Sequence, residues 1–81
     1  MNMIKWEIEI TDTFGGEANY SWVRRHEFKV REHATDRSIV IAAKKVAGLT
    51  GVKCDTTSFN DTIQLDVRGM CVRAFITPLD Y

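Results

Sequence analysis

The segment Ile4-Lys5-Trp6-Glu7-Ile8-Glu9-Ile10 alternates strictly between apolar and polar positions. Ile4, Trp6, Ile8 and Ile10 fall on one face, and Lys5, Glu7 and Glu9 on the other. This is the period of a half-buried β-strand. Thr11–Asn19 follows with Asp12, Gly15 and Gly16, residues that tolerate positive φ, and predicts a loop. A second strand is predicted over Tyr20–Arg31. Its even positions are Tyr20, Trp22, Arg24, His26, Phe28 and Val30, apolar toward both ends and polar in the middle. Either a bulge near Arg24 shifts the register, or the strand overhangs the helix and meets water on both sides.

The period then changes. Ile39, Ala42, Ala43, Val46 and Ala47 recur at helical spacing. Thr35 or Asp36 can cap the N-terminus by accepting from free backbone N–H groups, and Asp36 suits the positive end of the dipole. Lys44 and Lys45 suit the C-terminal end. Gly48 fits the left-handed position after the last turn, with Leu49 folding back in a Schellman contact. Small alanines allow close approach to a sheet.

Beyond Gly51 the pattern predicts three short strands. The weakest is Val52–Thr57, followed by a turn at Ser58-Phe59-Asn60-Asp61. Thr62–Val67 puts Ile63, Leu65 and Val67 on one face. Met70–Thr77 does the same with Met70, Val72, Ala74 and Ile76, and Pro78 stops it. Arg68-Gly69 reads as a hairpin loop of two residues. That loop opposes Val67 to Met70, Leu65 to Val72 and Ile63 to Ala74, and on the other face Asp66 to Cys71 and Gln64 to Arg73. The order β-β-α-β-β-β predicts an α+β fold: an antiparallel sheet of about five strands with one helix on one face. One helix cannot cover both faces. The other face, expected to carry Lys5, Glu7, Glu9, Gln64, Arg73 and Phe75, is left to solvent, a second subunit or a partner.

Composition bounds these expectations. At 81 residues, 44% hydrophobic and 27% charged, the chain is expected to form one globular domain over 1–81. No apolar run approaches the ~20 residues that span a bilayer, and Met1-Asn2-Met3-Ile4-Lys5 does not read as a signal peptide. Two cysteines are too few for a disulfide scaffold, so a soluble, cytoplasmic protein is expected. The formal net charge is zero, which weakens any bulk pull toward DNA or an anionic membrane. The charge is nevertheless segregated: residues 1–21 carry a net −3, 22–53 a net +5 and 54–81 a net −2. Adjacent strands of opposite sign can neutralise one another. Alternatively, opposite patches dock a partner.

Recognisable chemistry is sparse. His26, His33, Cys54 and Cys71 have no metal-ligand spacing. Cys54 reads as a small buried hydrophobe, and Cys71 as an outward thiol that could join two chains. Ser21, Ser38 and Ser58 lack a nucleophile setting, Gly15-Gly16 is not a phosphate loop, and the carboxylates form no evident acid–base pair. The expectation is a non-enzyme without cofactor or metal. Trp22, Arg24, Arg25, Lys29 and Arg31 form the one basic–aromatic cluster. It could stack bases and hold phosphates, or its basic groups could pair with Glu7 and Glu9 next door.

Asp12-Thr-Phe-Gly-Gly-Glu-Ala-Asn-Tyr-Ser-Trp-Val-Arg-Arg25 resembles a segment of small uncharacterised phage and prophage proteins. Leu49-Thr50-Gly51-Val52-Lys53-Cys54 resembles that family's turn into its third strand, typically T-G-V-R-C, with Lys53 in place of arginine. Met70-Cys71-Val72 to Phe75-Ile76 is similar to its closing strand. Phage accessory proteins of this size include many anti-CRISPR proteins. The resemblance implies an inhibitor that binds a Cas subunit of a type I Cascade complex stoichiometrically and blocks DNA binding or nuclease recruitment. Subunits that hold DNA are basic, so acidic Glu7, Glu9, Asp12 and Glu17 are expected contacts. Tyr20, Trp22, Arg24 and Arg25 form the second candidate surface. The alternative is a small nucleic-acid-binding or regulatory phage module. A virion component is a third class.

Overall fold

A computed structural model describes residues 3–79. They form β1 (Met3–Phe14), β2 (Glu17–Arg31), α1 (Asp36–Ala47), β3 (Cys54–Phe59), β4 (Thr62–Val67) and β5 (Val72–Pro78). The strands make one antiparallel sheet in the order β2-β1-β5-β4-β3, with the helix on one face. The α+β class and the element order are as the pattern predicts.

β1 lies between β2 and β5, and its alternation decides the sheet's two sides. Ile8 stands opposite His26 and Ile76, and Ile10 opposite Arg24 and Ala74. Ile8, Ile10, Ala74 and Ile76 join Ile63, Leu65, Phe28, Val30, Ile39 and Ala43 in one core, with Leu65, Ile76 and Ile8 fully buried. Thr35 is the N-cap, its Oγ1 accepting from the Ser38 N–H. Gly48 closes the helix at φ 74, and the Leu49 N–H donates to the Lys44 carbonyl at 2.8 Å while its side chain packs on the core. This is the Schellman arrangement, and a β-carbon at Gly48 would be strained by the backbone angle. The helix buries the predicted face: Ile39 and Ala43 are buried and Ala42 and Ala47 pack against the core, whereas Val46 is exposed.

Several boundaries differ from the sequence reading. The predicted loop over Thr11–Asn19 is mostly strand. Only Gly15 and Gly16 turn, at φ 64 and 84, the left-handed pair that matches a hairpin's twist. No bulge sits at Arg24, which pairs regularly with Ile10. The irregularity lies four residues earlier in the chain's pairing: β1 spends Asp12 alone between Thr11↔Val23 and Thr13↔Ala18, while β2 spends residues 19–22. β2 also overhangs the helix, so Arg24 is exposed although it lies on the helix side. β3 starts at Cys54 rather than Val52, and Asn60 and Asp61 make its turn. Cys54 is half-buried against the core, and Cys71 is exposed.

The β4–β5 register is shifted by two residues from the expected one. Leu65 opposes Ala74 and Ile63 opposes Ile76, because the loop spans 68–71. An even shift leaves every side chain on its predicted face, so hydrophobic alternation alone cannot distinguish the two registers. Charge can. The observed register sets Asp66 opposite Arg73, whose Nε donates to Asp66 Oδ1 at 2.6 Å, in place of Asp66 opposite Cys71. It also expels Met70 from the strand, leaving it 62% exposed.

Chemical denaturation separates these registers through Met70→Ala, with Leu65→Ala, at a site buried in either, as the reference. Leu65→Ala should cost about 2–5 kcal/mol. Met70→Ala should stay within about 0.5 kcal/mol. A loss of core size from Met70→Ala would instead support the shorter loop.

Candidate functional site

The far end of the β1–β2 hairpin extends past the helix and carries exposed aromatic side chains. Phe14 is 80% exposed, Tyr20 54% and Trp22 41%. Met70 is in the neighbouring β4–β5 turn, and the Thr13 N–H donates to the Cys71 carbonyl at 3.0 Å, tying the two turns together. Other exposed apolar side chains, among them Ile41, Val46 and Phe59, lie elsewhere on the surface; several on one hairpin make its end the candidate contact surface.

A polar clamp fixes the hairpin's irregular stretch. One Asp12 carboxylate oxygen, Oδ1, accepts from the Ser21 backbone N–H at 2.9 Å. The other, Oδ2, accepts from Ser21 Oγ at 2.6 Å and Asn19 Nδ2 at 2.9 Å. Thr11 Oγ1, completely buried, donates to the Trp22 carbonyl at 3.0 Å. These bonds hold Tyr20 at φ 55. That left-handed conformation costs a bulky L-residue about 1–2 kcal/mol and persists only when its surroundings impose it. The Ser21 hydroxyl and the Asn19 amide favour the ionised carboxylate and hold the Asp12 carboxyl well below the usual range, against a smaller opposing effect of desolvation. From the opposite sheet face, Arg73 Nη2 donates to the Gly16 carbonyl at 2.9 Å and braces the turn.

Trp22 is also covered in part by Arg24, whose Cζ lies 5.8 Å from the ring centroid. This is a cation–π contact, worth about 0.5–1 kcal/mol at an exposed site. Arg25 points to the other face, where its Nε donates to Glu9 Oε2 at 2.9 Å.

The helix-free face is a mixed charge ladder. Register alone would set Lys5 against Lys29, Glu7 against Glu27, and Asp55 against Asp66, all unfavourable like-charge pairs. Diagonal and flanking partners offset them: Lys5 reaches Glu27 at 3.6 Å, Arg68 takes Asp55 at 2.8 Å, and Arg73 takes Asp66. The Arg73 guanidinium holds the Asp66 carboxyl below its ordinary range, with burial opposing and Gln64 assisting. The segregated sequence charge is thus interleaved in space, as the neutralising alternative has it.

The predicted contact residues therefore separate into two groups. Tyr20, Trp22 and Arg24 come together at the hairpin end, with Glu17 beside the turn opposite Phe14. Glu7, Glu9 and Arg25 lie on the helix-free face, and Glu9 is paired. Asp12 is spent on the hairpin's own backbone. Phe14 was absent from the sequence-derived set. The available signal was an aromatic residue directly before a Gly-Gly turn, with no neighbour in reach to bury it. Among the described residues, no group of three or more His, Cys, Asp or Glu is placed to hold a metal, and no helix is long and apolar enough to cross a membrane. A concavity lies at the opposite end, where Val30, Arg31 and His33 lead into the helix. There Ser38 Oγ accepts from Thr35 Oγ1.

No family model matches the chain, and no curated protein or solved structure matches it.

The Asp12 clamp predicts a pH signature. Its folded-state carboxyl is depressed, so its contribution is complete above the unfolded value near 3.8 and fades as pH falls below that toward the folded value. Wild type should lose stability below pH ~4, and Asp12→Ala should lose less over the same interval. In NMR, the Ser21 amide should titrate below the ordinary carboxylate range. Titration at an unshifted value would contradict the clamp.

Proposed function

We propose that this protein acts by stoichiometric contact, with the aromatic end of the β1–β2 hairpin as the contacting surface. One observation carries this reading. A tyrosine is held in a strained, exposed conformation, two residues from the exposed Trp22, by the Asp12 bonds that order the irregular stretch of the hairpin. Pre-ordering a loop lowers the conformational entropy lost on binding, and exposed aromatic anchors dominate interface energies.

The partner we propose is a Cas subunit of a type I effector complex. The reading is of a phage-encoded anti-CRISPR inhibitor that blocks target DNA binding or nuclease recruitment. Support comes from the resemblance of Asp12–Arg25 to phage and prophage proteins, because that segment contains the clamp, the turn and the aromatic residues. The acidic contribution narrows. Asp12 is internally bonded and Glu9 is paired with Arg25, which leaves Glu17 nearest the aromatic end. Trp22, Tyr20 and Arg24 are therefore the principal contacts, and Glu7 and Arg25 are peripheral.

The Arg24–Trp22 stack favours one second reading, a nucleic-acid-binding module. Fluorescence anisotropy separates the two: tight, salt-sensitive binding of DNA by the isolated protein supports the second reading.

The direct test is a gel shift and cleavage assay of target DNA with purified type I complex. Excess protein should abolish DNA binding or cleavage, and Trp22→Ala should weaken inhibition about tenfold or more. Unaltered binding together with unaltered cleavage contradicts the proposal.

A further inference from the structure

The two edges of the sheet are built differently. β2 displays Arg24, Arg25, Glu27, Lys29 and Arg31 and carries the irregular 19–22 stretch, the devices that keep an edge from pairing with another chain. β3 carries a single charge, Asp55, and no irregular stretch. Cys54-Asp55-Thr56-Thr57-Ser58-Phe59 contains no proline and no basic residue, and its register with β4 runs unbroken. All but Cys54 are exposed: Thr56 and Ser58 lie on the helix side but the helix packs chiefly over β2 and β1, and Asp55, Thr57 and Phe59 lie on the helix-free face.

We propose that β3 is a self-association edge. Two copies of the chain pair their β3 strands antiparallel about a two-fold axis, continuing the five-stranded sheet into a second copy. The strand's own sequence argues for a second copy as the occupant. Asp55 is its only charge, and that carboxylate accepts from Arg68 within the chain at 2.8 Å. A two-fold centred on Thr56 sets Asp55 opposite the partner's Thr57, and one centred on Thr57 sets it opposite the partner's Phe59. Both keep the carboxylates apart; the first sets Thr56 against its own counterpart, and the second sets Thr57 against its counterpart and Thr56 against Ser58, favourable cross-strand combinations.

The helix side supplies an independent observation. A groove between α1 and Thr56 is lined by Val40, Ile41 and Lys44, and Ile41 is 59% exposed there. A two-fold axis perpendicular to the sheet puts both helices on one side, so the Ile41 flanks face each other above the seam. Six paired residues bury less than the ~1,200 Å² of a permanent interface, and the dimer is accordingly weak and concentration-dependent. The hairpin ends lie toward the opposite edge and stay uncovered.

Sedimentation velocity from about 1 μM to about 1 mM tests this. It is run in reducing buffer on a Cys71→Ser background, so that disulfide-linked species do not contribute. The parent should pass from monomer to dimer across the series. Thr57→Glu sets two carboxylates against each other in either register, against its own counterpart or against the partner's Asp55. Ile41→Glu removes the apolar flank and gains Lys45 four residues on, which favours the helix. Each should raise the dissociation constant about tenfold or more, with circular dichroism unchanged. A parent that stays monomeric throughout, or a dimer indifferent to Thr57→Glu, overturns the proposal. Neither result depends on what the hairpin end binds.

Discussion

A twelve-residue helix reaches only about 18 Å at 1.5 Å per residue. The sheet it must cover contains a fifteen-residue strand, and the molecule extends 42 Å along its longest axis. This mismatch of reach governs the rest of the structure. Where α1 lies, Phe28, Val30, Ile8 and Ile10 are dry. Farther along β2, Arg24 meets water although it is regularly paired, and Trp22 and Tyr20 meet water in the irregular stretch beyond it. The β3 edge is left bare for the same reason. The hairpin end and the β3 edge are what one short helix cannot shield.

Leaving part of a sheet uncovered carries a cost that other interactions offset. On the helix-free face, like charges opposed by register are balanced by Lys5–Glu27 and Arg73–Asp66 pairs. The exposed Lys5–Glu27 pair contributes little stability, and the half-buried Arg73–Asp66 pair fixes the β4–β5 register. At the hairpin end, the Asp12 carboxylate takes over where the regular ladder breaks. It satisfies the Ser21 N–H that the bulge frees and keeps Tyr20 in place.

Much of the architecture was legible in the alternation of β1, the capped helix and the apolar faces of β4 and β5. What misled the reading shares a cause: period-two patterning reports the face of a residue and not its partner. The β4–β5 slip by two residues preserved every face, and only the Asp66–Arg73 pair breaks the tie. The hairpin end was misread because Asp12, Gly15 and Gly16 are loop-forming residues wherever they occur. That Asp12 would bond Ser21 and Asn19 across the hairpin is a long-range fact. Tyr20, Trp22 and Arg24 emerged as a cluster from sequence because they are neighbours on one strand. Phe14 joined them only once the turn was folded, and Glu7 and Glu9 left the group because β1 aims them at the other face.

The central claim is that the hairpin end, rather than the charged face, meets the partner. Hydrogen–deuterium exchange of the protein, alone and with excess purified type I effector complex, tests it most directly. New protection should appear across Phe14–Arg24, with the amides of β4 unchanged. Exchange in Phe14–Arg24 that is identical with and without the complex would contradict the account.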